Sequence, residues 1–128
     1  MELEDLTEKV IGCAITVHKT IGPGFLESIY ENALVIELKR GGLRVESQLS
    51  HSIQYRDVEV GLHRVDLLVE GALIVELKAV SGLEDIHFAQ VRSYLKALGL
   101  KHGLLLNFAS MPLTIKRVIF ESIIIRKA

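Results

Sequence analysis

The chain opens with two stretches in which apolar residues recur every three or four positions, the spacing that predicts amphipathic helices. The glycine-proline segment Gly22-Pro23-Gly24 separates the stretches, and Gly41-Gly42 closes the second. Because glycine and proline interrupt regular structure, we expect a helix, a tight loop and a second helix. The apolar positions are Leu3, Leu6, Val10, Ala14, Val17 and Ile21 in the first stretch, then Leu26, Ile29, Tyr30, Ala33, Leu34 and Leu38.

From residue 45 the apolar positions alternate with polar ones, and a period of two predicts half-buried strands. A turn at Arg56-Asp57 ends the first strand, and Gly61 interrupts the short strand 58–60 that follows. The residues expected to share the apolar face of the first strand are Val45, Leu49, Ile53 and Tyr55.

The middle of the chain predicts a hairpin followed by a helix and further strands. Strands His63–Val69 and Leu73–Lys78 flank a compact turn, and a helical period returns between Ile86 and Leu98. Leu104-Leu105-Leu106 predicts a buried central strand, and a last strand, interrupted around Glu121, is expected from Ile115 to Ile125. The order αα-βββ-α-β-β predicts one α/β domain over residues 1–128, with a mixed β-sheet flanked by helices.

Charged residues stand inside two of the predicted apolar strands. Glu76 and Lys78 lie two positions apart, hence on one face of the sheet, and Asp66 lies among aliphatic residues of the neighbouring strand. Charges in such surroundings need a partner, water or a metal ion. Two converging carboxylates are suitable ligands for Mg²⁺ or Mn²⁺, and a nearby lysine can stabilise or orient an attacking hydroxide.

This interpretation depends on the length of the hairpin loop. A three-residue turn about Gly71 places Asp66 opposite Glu76, whereas a two-residue turn sends Asp66 to the other face. The spacing leaves open an alternative in which Asp66, Glu76 and Lys78 are surface charges that form an ordinary salt bridge.

The segment Gly24-Phe25-Leu26-Glu27-Ser28-Ile29-Tyr30 resembles the motif that names the GxxExxY protein family, which is placed in the PD-(D/E)XK nuclease superfamily. The resemblance continues through 7–12 and 74–80 to 104–108. It implies a restriction-endonuclease-like PD-(D/E)XK core. Val65 departs from the pattern, because superfamily members often have a proline before the first acid.

The resemblance also implies roles for individual residues. Asp66 and Glu76 correspond to metal-binding acids, Lys78 to the catalytic lysine, and Glu27 to an additional acidic ligand. Gln90 and Tyr94 resemble a Q-x-x-x-Y motif that supports the site, and their spacing of four places them on one side of a helix. Ordinary structural roles stay open for the supporting residues, which are Glu27, Tyr30, Gln90 and Tyr94.

The composition indicates where the protein is located more clearly than it indicates which reaction the protein catalyses. The acidic start Met1–Asp5, the single Cys13 and the lack of an apolar run of ~18 residues predict a cytoplasmic protein with no membrane segment. With 49% hydrophobic residues, a homodimer is left open. Fifteen basic against sixteen acidic residues give a net charge of −1, so charge alone does not predict tight DNA binding.

Two functions from different classes follow, and the residues alone also leave open a small-molecule enzyme that uses the same metal site. The first is a metal-dependent nuclease that uses Mg²⁺ or Mn²⁺ to hydrolyse phosphodiester bonds in a nucleic acid, with DNA as the expected substrate. The second is a catalytically inactive binding or assembly module that keeps the same fold. The charged residues in the apolar strands favour the nuclease, and the scattered basic residues favour the module.

Overall fold

The computed structural model describes residues 1–121, which form a five-stranded sheet in the order β1-β2-β3-β4-β5 with three helices. β3 and β4 are parallel, and the other neighbouring strands are antiparallel. This arrangement confirms the predicted α/β class and element order. The elements are α1 (Leu3–Ile21), α2 (Glu27–Arg40), β1 (Val45–Tyr55), β2 (Val58–Val69), β3 (Leu73–Lys78), α3 (Asp85–Leu98), β4 (His102–Asn107) and β5 (Thr114–Ile119).

Apolar side chains cover both faces of the sheet. Leu104 and Leu106 belong to the core formed with α1 and α2, whereas Leu105 belongs to the core formed with α3. Since successive strand residues point to opposite faces, a strand covered on both sides must be apolar throughout. The unbroken run of leucines in β4 is therefore explained, and its predicted burial is confirmed.

The crossover helix α3 packs closely on β4 at Gly103. A Cβ built there would lie 2.9 Å from Val91 Cγ1 and 3.4 Å from the carbonyl oxygen of Ile74. Only glycine leaves room for the helix at this point, which fixes the depth at which α3 sits on the sheet.

The hairpin between β2 and β3 has the loop length that the candidate site requires. Val69 pairs with Leu73, so residues 70–72 form a three-residue loop, and Gly71 has a φ of 63°. The last pair of the ladder is Leu67 with Val75, which makes Asp66 and Glu76 the next positions facing each other. The expected register is confirmed.

Two expectations for the first hairpin are wrong. Val45 packs against the α1/α2 core and Leu49 against the α3 core, so they do not share a face. Gln48, with a φ of 52°, lies between them and breaks the alternation. β2 is also continuous over Val58–Val69, because Gly61 pairs with Ile53 and the irregularity beside it, between Ile53 and Gln54, shifts the register without ending the strand.

Beyond Asp66, the β1–β2 ribbon leaves β3 and forms a two-stranded extension over residues 49–65, here called the arm. Its far end exposes the large apolar side chains of Tyr55, Val58, Val60 and Leu62. The homodimer expected from composition stays a prediction. No helix within residues 1–121 is long and apolar enough to cross a bilayer. β5 ends at Ile119, and residues 120 and 121 are not in a strand, in line with the expected interruption around Glu121. The rest of the predicted strand, residues 122–125, lies outside the described part of the chain.

We expect Gly103→Ala to destabilise the protein by about 1–3 kcal/mol, because the new methyl group overlaps Val91 and forces α3 away from the sheet. Chemical denaturation measures the free energy of unfolding. Gly82→Ala is the matched control, since no heavy atom lies within 4 Å of its added Cβ. Equal stability of the two variants would contradict the close packing.

Candidate metal centre at the strand fork

The candidate site lies where β2 and β3 separate, a place we call the fork. Pairing between these strands ends at Leu67 and Val75, while β3 continues alongside β4 as far as Lys78. The backbone at the fork therefore loses its cross-strand partners. Buried backbone N–H groups must find other acceptors, and here carboxylates provide them.

Asp66 and Glu76 each bind the backbone of the opposite strand. The Asp66 N–H donates to Glu76 Oε1 at 3.0 Å, and the Leu77 N–H donates to Asp66 Oδ2 at 3.0 Å. These two bonds replace the missing ladder bonds and hold the carboxylates side by side. Within residues 1–121, the other oxygens, Glu76 Oε2 and Asp66 Oδ1, accept no backbone hydrogen bond.

The carboxyl of Glu76 is the most perturbed group of the site. Its side chain is buried, with a relative exposure of 3%. Burial and the neighbouring Asp66 raise the pKa of Glu76 to about 9, against a smaller opposing effect of the Asp66 N–H and Lys78. Glu76 therefore holds a proton at neutral pH when no cation is near, as expected for two carboxylates that cannot both ionise.

The other predicted residues surround this pair. Lys78 Nζ donates to Gln90 Oε1 at 3.0 Å, which joins β3 to α3. Tyr94, one helical turn further along α3, is buried, and burial together with Glu76 and Asp66 raises its pKa to about 12. The His63 ring lies edge-on to the Tyr94 ring, with 4.6 Å between their centroids.

Glu27 begins α2 beside this group. Partial burial and Asp66 raise the pKa of Glu27, while Lys78 and His87 lower it. These influences place its carboxyl near the fork, and its role as an additional metal ligand stays a prediction. Glu27 is exposed, in contrast to the buried Glu76.

Two polar residues of the fork, Glu31 and Gln48, were not predicted from the sequence. The Gln48 amide donates to both carboxylate oxygens of Glu31 and, at 3.3 Å, to Asp66 Oδ1. A signal for Glu31 was present, because it follows Glu27 by four residues and so lies on the same side of α2. Gln48 gave no signal, since its φ of 52° is not visible in the alternation of polar residues.

The segment from Gly24 to Tyr30 contains the end of the loop before α2 as well as Glu27, the first residue of that helix. Tyr30 is fully buried, and its hydroxyl donates to the Gly22 carbonyl at 2.7 Å and accepts from the Phe25 N–H at 3.1 Å. Its ring stacks on Phe108 with 4.7 Å between centroids. Gly24 has a φ of 109°, which favours glycine. Tyr30 therefore has a structural role, because it fixes the loop that starts α2.

The donor set of the fork suits a hard divalent cation. A cation that displaces the Glu76 proton meets adjacent carboxylate oxygens of Asp66 and Glu76, whose combined negative charge exceeds what Lys78 alone neutralises. Mg²⁺ is commonly held by one or two carboxylates plus water. Within the described residues no group of three or more His, Cys, Asp or Glu side chains is placed to hold a metal ion.

A cavity with no contact to Asp66 or Glu76 lies elsewhere in the protein. Its volume is about 830 Å³, and it is lined by the end of α1 and the loop before β5, including His18, Pro112 and Leu113. Its lining is mostly apolar and contains none of the predicted site residues. Charge and geometry, not cavity volume, identify the fork as the candidate site.

Comparison with known proteins agrees with this architecture. A family model described as the PD-(D/E)XK nuclease superfamily matches residues 4–118. The solved crystal structure of SSO0001 is similar, with a TM-score of 0.56 and 18% identity over 73% of this chain and 49% of that chain. The chain thus spans about half the length of that protein, and the likeness concerns the fold. No curated protein matches the chain significantly.

We expect the metal-free protein to lose stability as pH rises from about 5 to 9. Over this range the unfolded chain releases the Glu76 proton while the folded protein keeps it, so the free energy of unfolding falls by on the order of 1 kcal/mol per pH unit. Glu76→Gln mimics the protonated acid and should remove most of this slope. Urea denaturation in EDTA at several pH values measures it, and a wild-type slope retained by the variant would contradict the assignment.

We expect Tyr30→Phe to lower the free energy of unfolding by about 1–2 kcal/mol, because two hydrogen bonds of the loop lose their buried hydroxyl. Tyr55→Phe is the control, since that side chain is 63% exposed. Urea denaturation compares the two variants. A Tyr30→Phe protein as stable as the Tyr55→Phe protein would show that the hydroxyl does not hold the loop.

Proposed function

Because the chain belongs to the PD-(D/E)XK nuclease superfamily, we propose that it is a metal-dependent nuclease that hydrolyses phosphodiester bonds at the strand fork. The observation that carries the proposal is the pair Asp66 and Glu76, held side by side by reciprocal bonds to the backbone of the two strands. Lys78 completes the group from the same face of β3 as Glu76. Membership of the narrower GxxExxY family stays a prediction.

We assign the binding of Mg²⁺ or Mn²⁺ to Asp66 and Glu76, with Glu27 as an additional acidic group at the start of α2. A bound divalent ion supplies Lewis-acid activation and lowers the pKa of a coordinated water. The protein contributes two close carboxylates in a partly buried place, where charge interactions are stronger than in water.

In the proposed reaction, Lys78 acts on the phosphate group of the substrate. Its ammonium group is held by Gln90, so its position beside the carboxylates does not depend on substrate. A fixed positive charge stabilises the negative charge that develops on a phosphate during attack by water. Tyr94 keeps its proton because its pKa is raised to about 12, and its buried ring closes the α3 side of the fork.

The net charge of the fork makes cation binding a precondition for phosphate binding. Without a cation Glu76 is protonated and Lys78 faces the Asp66 carboxylate, but Glu27 and Glu31 lie nearby and repel a phosphodiester. The proposal therefore requires that a divalent ion be present before the nucleic acid is cleaved. DNA is the proposed substrate, on the basis of the family resemblance, and RNA in the same assay tests that choice.

Cleavage of labelled DNA with Mg²⁺ or Mn²⁺ tests the function. We expect Asp66→Asn, Glu76→Gln and Lys78→Met each to reduce the rate at least about 100-fold, because each removes a ligand charge or the fixed ammonium. Glu59→Gln is the matched control, since Glu59 lies on the arm, where it binds Ser52 at 2.7 Å.

A Glu76→Gln protein that cuts as well as wild type would contradict the proposed mechanism. If the wild type cuts neither DNA nor RNA with either ion, the alternative is the binding or assembly module. Calorimetric titration with Mn²⁺ then shows whether the protein has a metal site. A module with no metal site binds no more Mn²⁺ than its Asp66→Asn variant, whereas a protein with the proposed site binds more than the variant does.

A further inference from the structure

Gln48 occupies an unusual backbone conformation at the level of the fork. Its φ of 52° lies in the left-handed region, which is uncommon for residues other than glycine, asparagine and aspartate. Such conformations are unfavourable by roughly 1 kcal/mol or more, and they persist where surrounding contacts hold them. The contacts of the Gln48 side chain identify what holds this one.

The Gln48 amide connects two carboxylates that belong to different elements. Its Nε2 donates to Glu31 Oε1 at 2.8 Å and Oε2 at 3.0 Å, and to Asp66 Oδ1 at 3.3 Å. Glu31 lies on α2 and Asp66 on β2, so the bridge joins a helix to the strand that carries the acid. The two shorter bonds show that Glu31 holds the amide more firmly than Asp66 does.

The bridge determines how Asp66 is oriented. Asp66 Oδ2 is occupied by the Leu77 N–H, and Gln48 contacts the other oxygen, Oδ1. A carboxylate held at both oxygens cannot rotate, and a donor between Asp66 and Glu31 offsets the repulsion between them. An oxygen that accepts one hydrogen bond still has a lone pair for a cation.

We propose that Gln48 is a positioning residue for the divalent-ion site: Glu31 fixes the Gln48 amide, and the amide fixes the Asp66 carboxylate. In this arrangement Glu31 acts through Gln48 and is not itself a ligand. The inference rests on the proposed function only in taking Asp66 as a metal ligand. Groups that orient metal ligands typically change metal affinity 10- to 100-fold when removed.

Calorimetric titration of the full chain with Mn²⁺ tests the proposal without any cleavage assay. We expect Gln48→Met, which keeps the side-chain length and lacks the donor, to weaken Mn²⁺ binding about tenfold. Gln54→Met is the matched control, because Gln54 is also a β1 glutamine whose amide donates, at 2.8 Å, to Ser52 on the arm. Its Mn²⁺ affinity should equal that of the wild type.

Gln48→Asn separates positioning from folding. Asparagine tolerates the left-handed conformation and keeps the amide, but it is one methylene shorter, so the protein should fold and still bind Mn²⁺ more weakly. A Gln48→Asn protein with wild-type stability and wild-type affinity would overturn the proposal. A Gln48→Met protein with wild-type affinity would do the same.

A double-mutant cycle tests the order Glu31, Gln48, Asp66. If Glu31 acts only through Gln48, then Glu31→Met weakens Mn²⁺ binding in the wild type and adds little to Gln48→Met. Additive losses would overturn the proposal, because Glu31 would then contact the ion independently. A wild type that binds Mn²⁺ but cleaves no nucleic acid overturns the proposed function and leaves this inference standing, whereas a wild type that binds no Mn²⁺ overturns both.

Discussion

Two acidic side chains complete the hydrogen bonding of a sheet at the point where the sheet divides. Asp66 and Glu76 accept hydrogen bonds from backbone N–H groups that the separating strands leave without partners. The same contacts hold both carboxylates close together in a partly buried place, which is unfavourable for two ionised acids. The acids that satisfy the backbone are thus also the pair in which burial and a neighbouring carboxylate raise the pKa of Glu76 to about 9.

The surrounding elements follow from this constraint. Helix α3 must approach β4 closely enough at Gly103 to bring Gln90 to Lys78 and Tyr94 to the buried face of the fork. Helix α2 must begin at the correct place to present Glu27 and Glu31, and the Tyr30 hydroxyl fixes the loop that precedes it. Apolar packing on both faces of the sheet supplies the rigidity that these polar contacts require.

The spacing of apolar residues predicted the helices and strands. The register of the β2–β3 hairpin, given a three-residue loop, predicted that Asp66 faces Glu76. The helices, the hairpin and the buried leucines of β4 follow from periodicities that burial imposes, and the three-residue loop places Asp66 opposite Glu76 by counting alone. The shared face of Val45 and Leu49 was wrong, because the left-handed Gln48 reverses the alternation between them. The bridge from Glu31 to Asp66 was missed, since it joins residues on three elements whose distances depend on tertiary packing.

The continuous course of β2 over Val58–Val69 has a geometrical consequence. Asp66 and the tip of the arm near Val58 lie on one strand, eight residues and about 26 Å apart, and Gly61 does not break it. The pairing with β1 shifts register between Ile53 and Gln54 but resumes on the far side, so the strand that carries the acid also supports the exposed apolar tip. One strand thus sets both where the Asp66 carboxylate lies and where the apolar residues of the arm are presented to solvent.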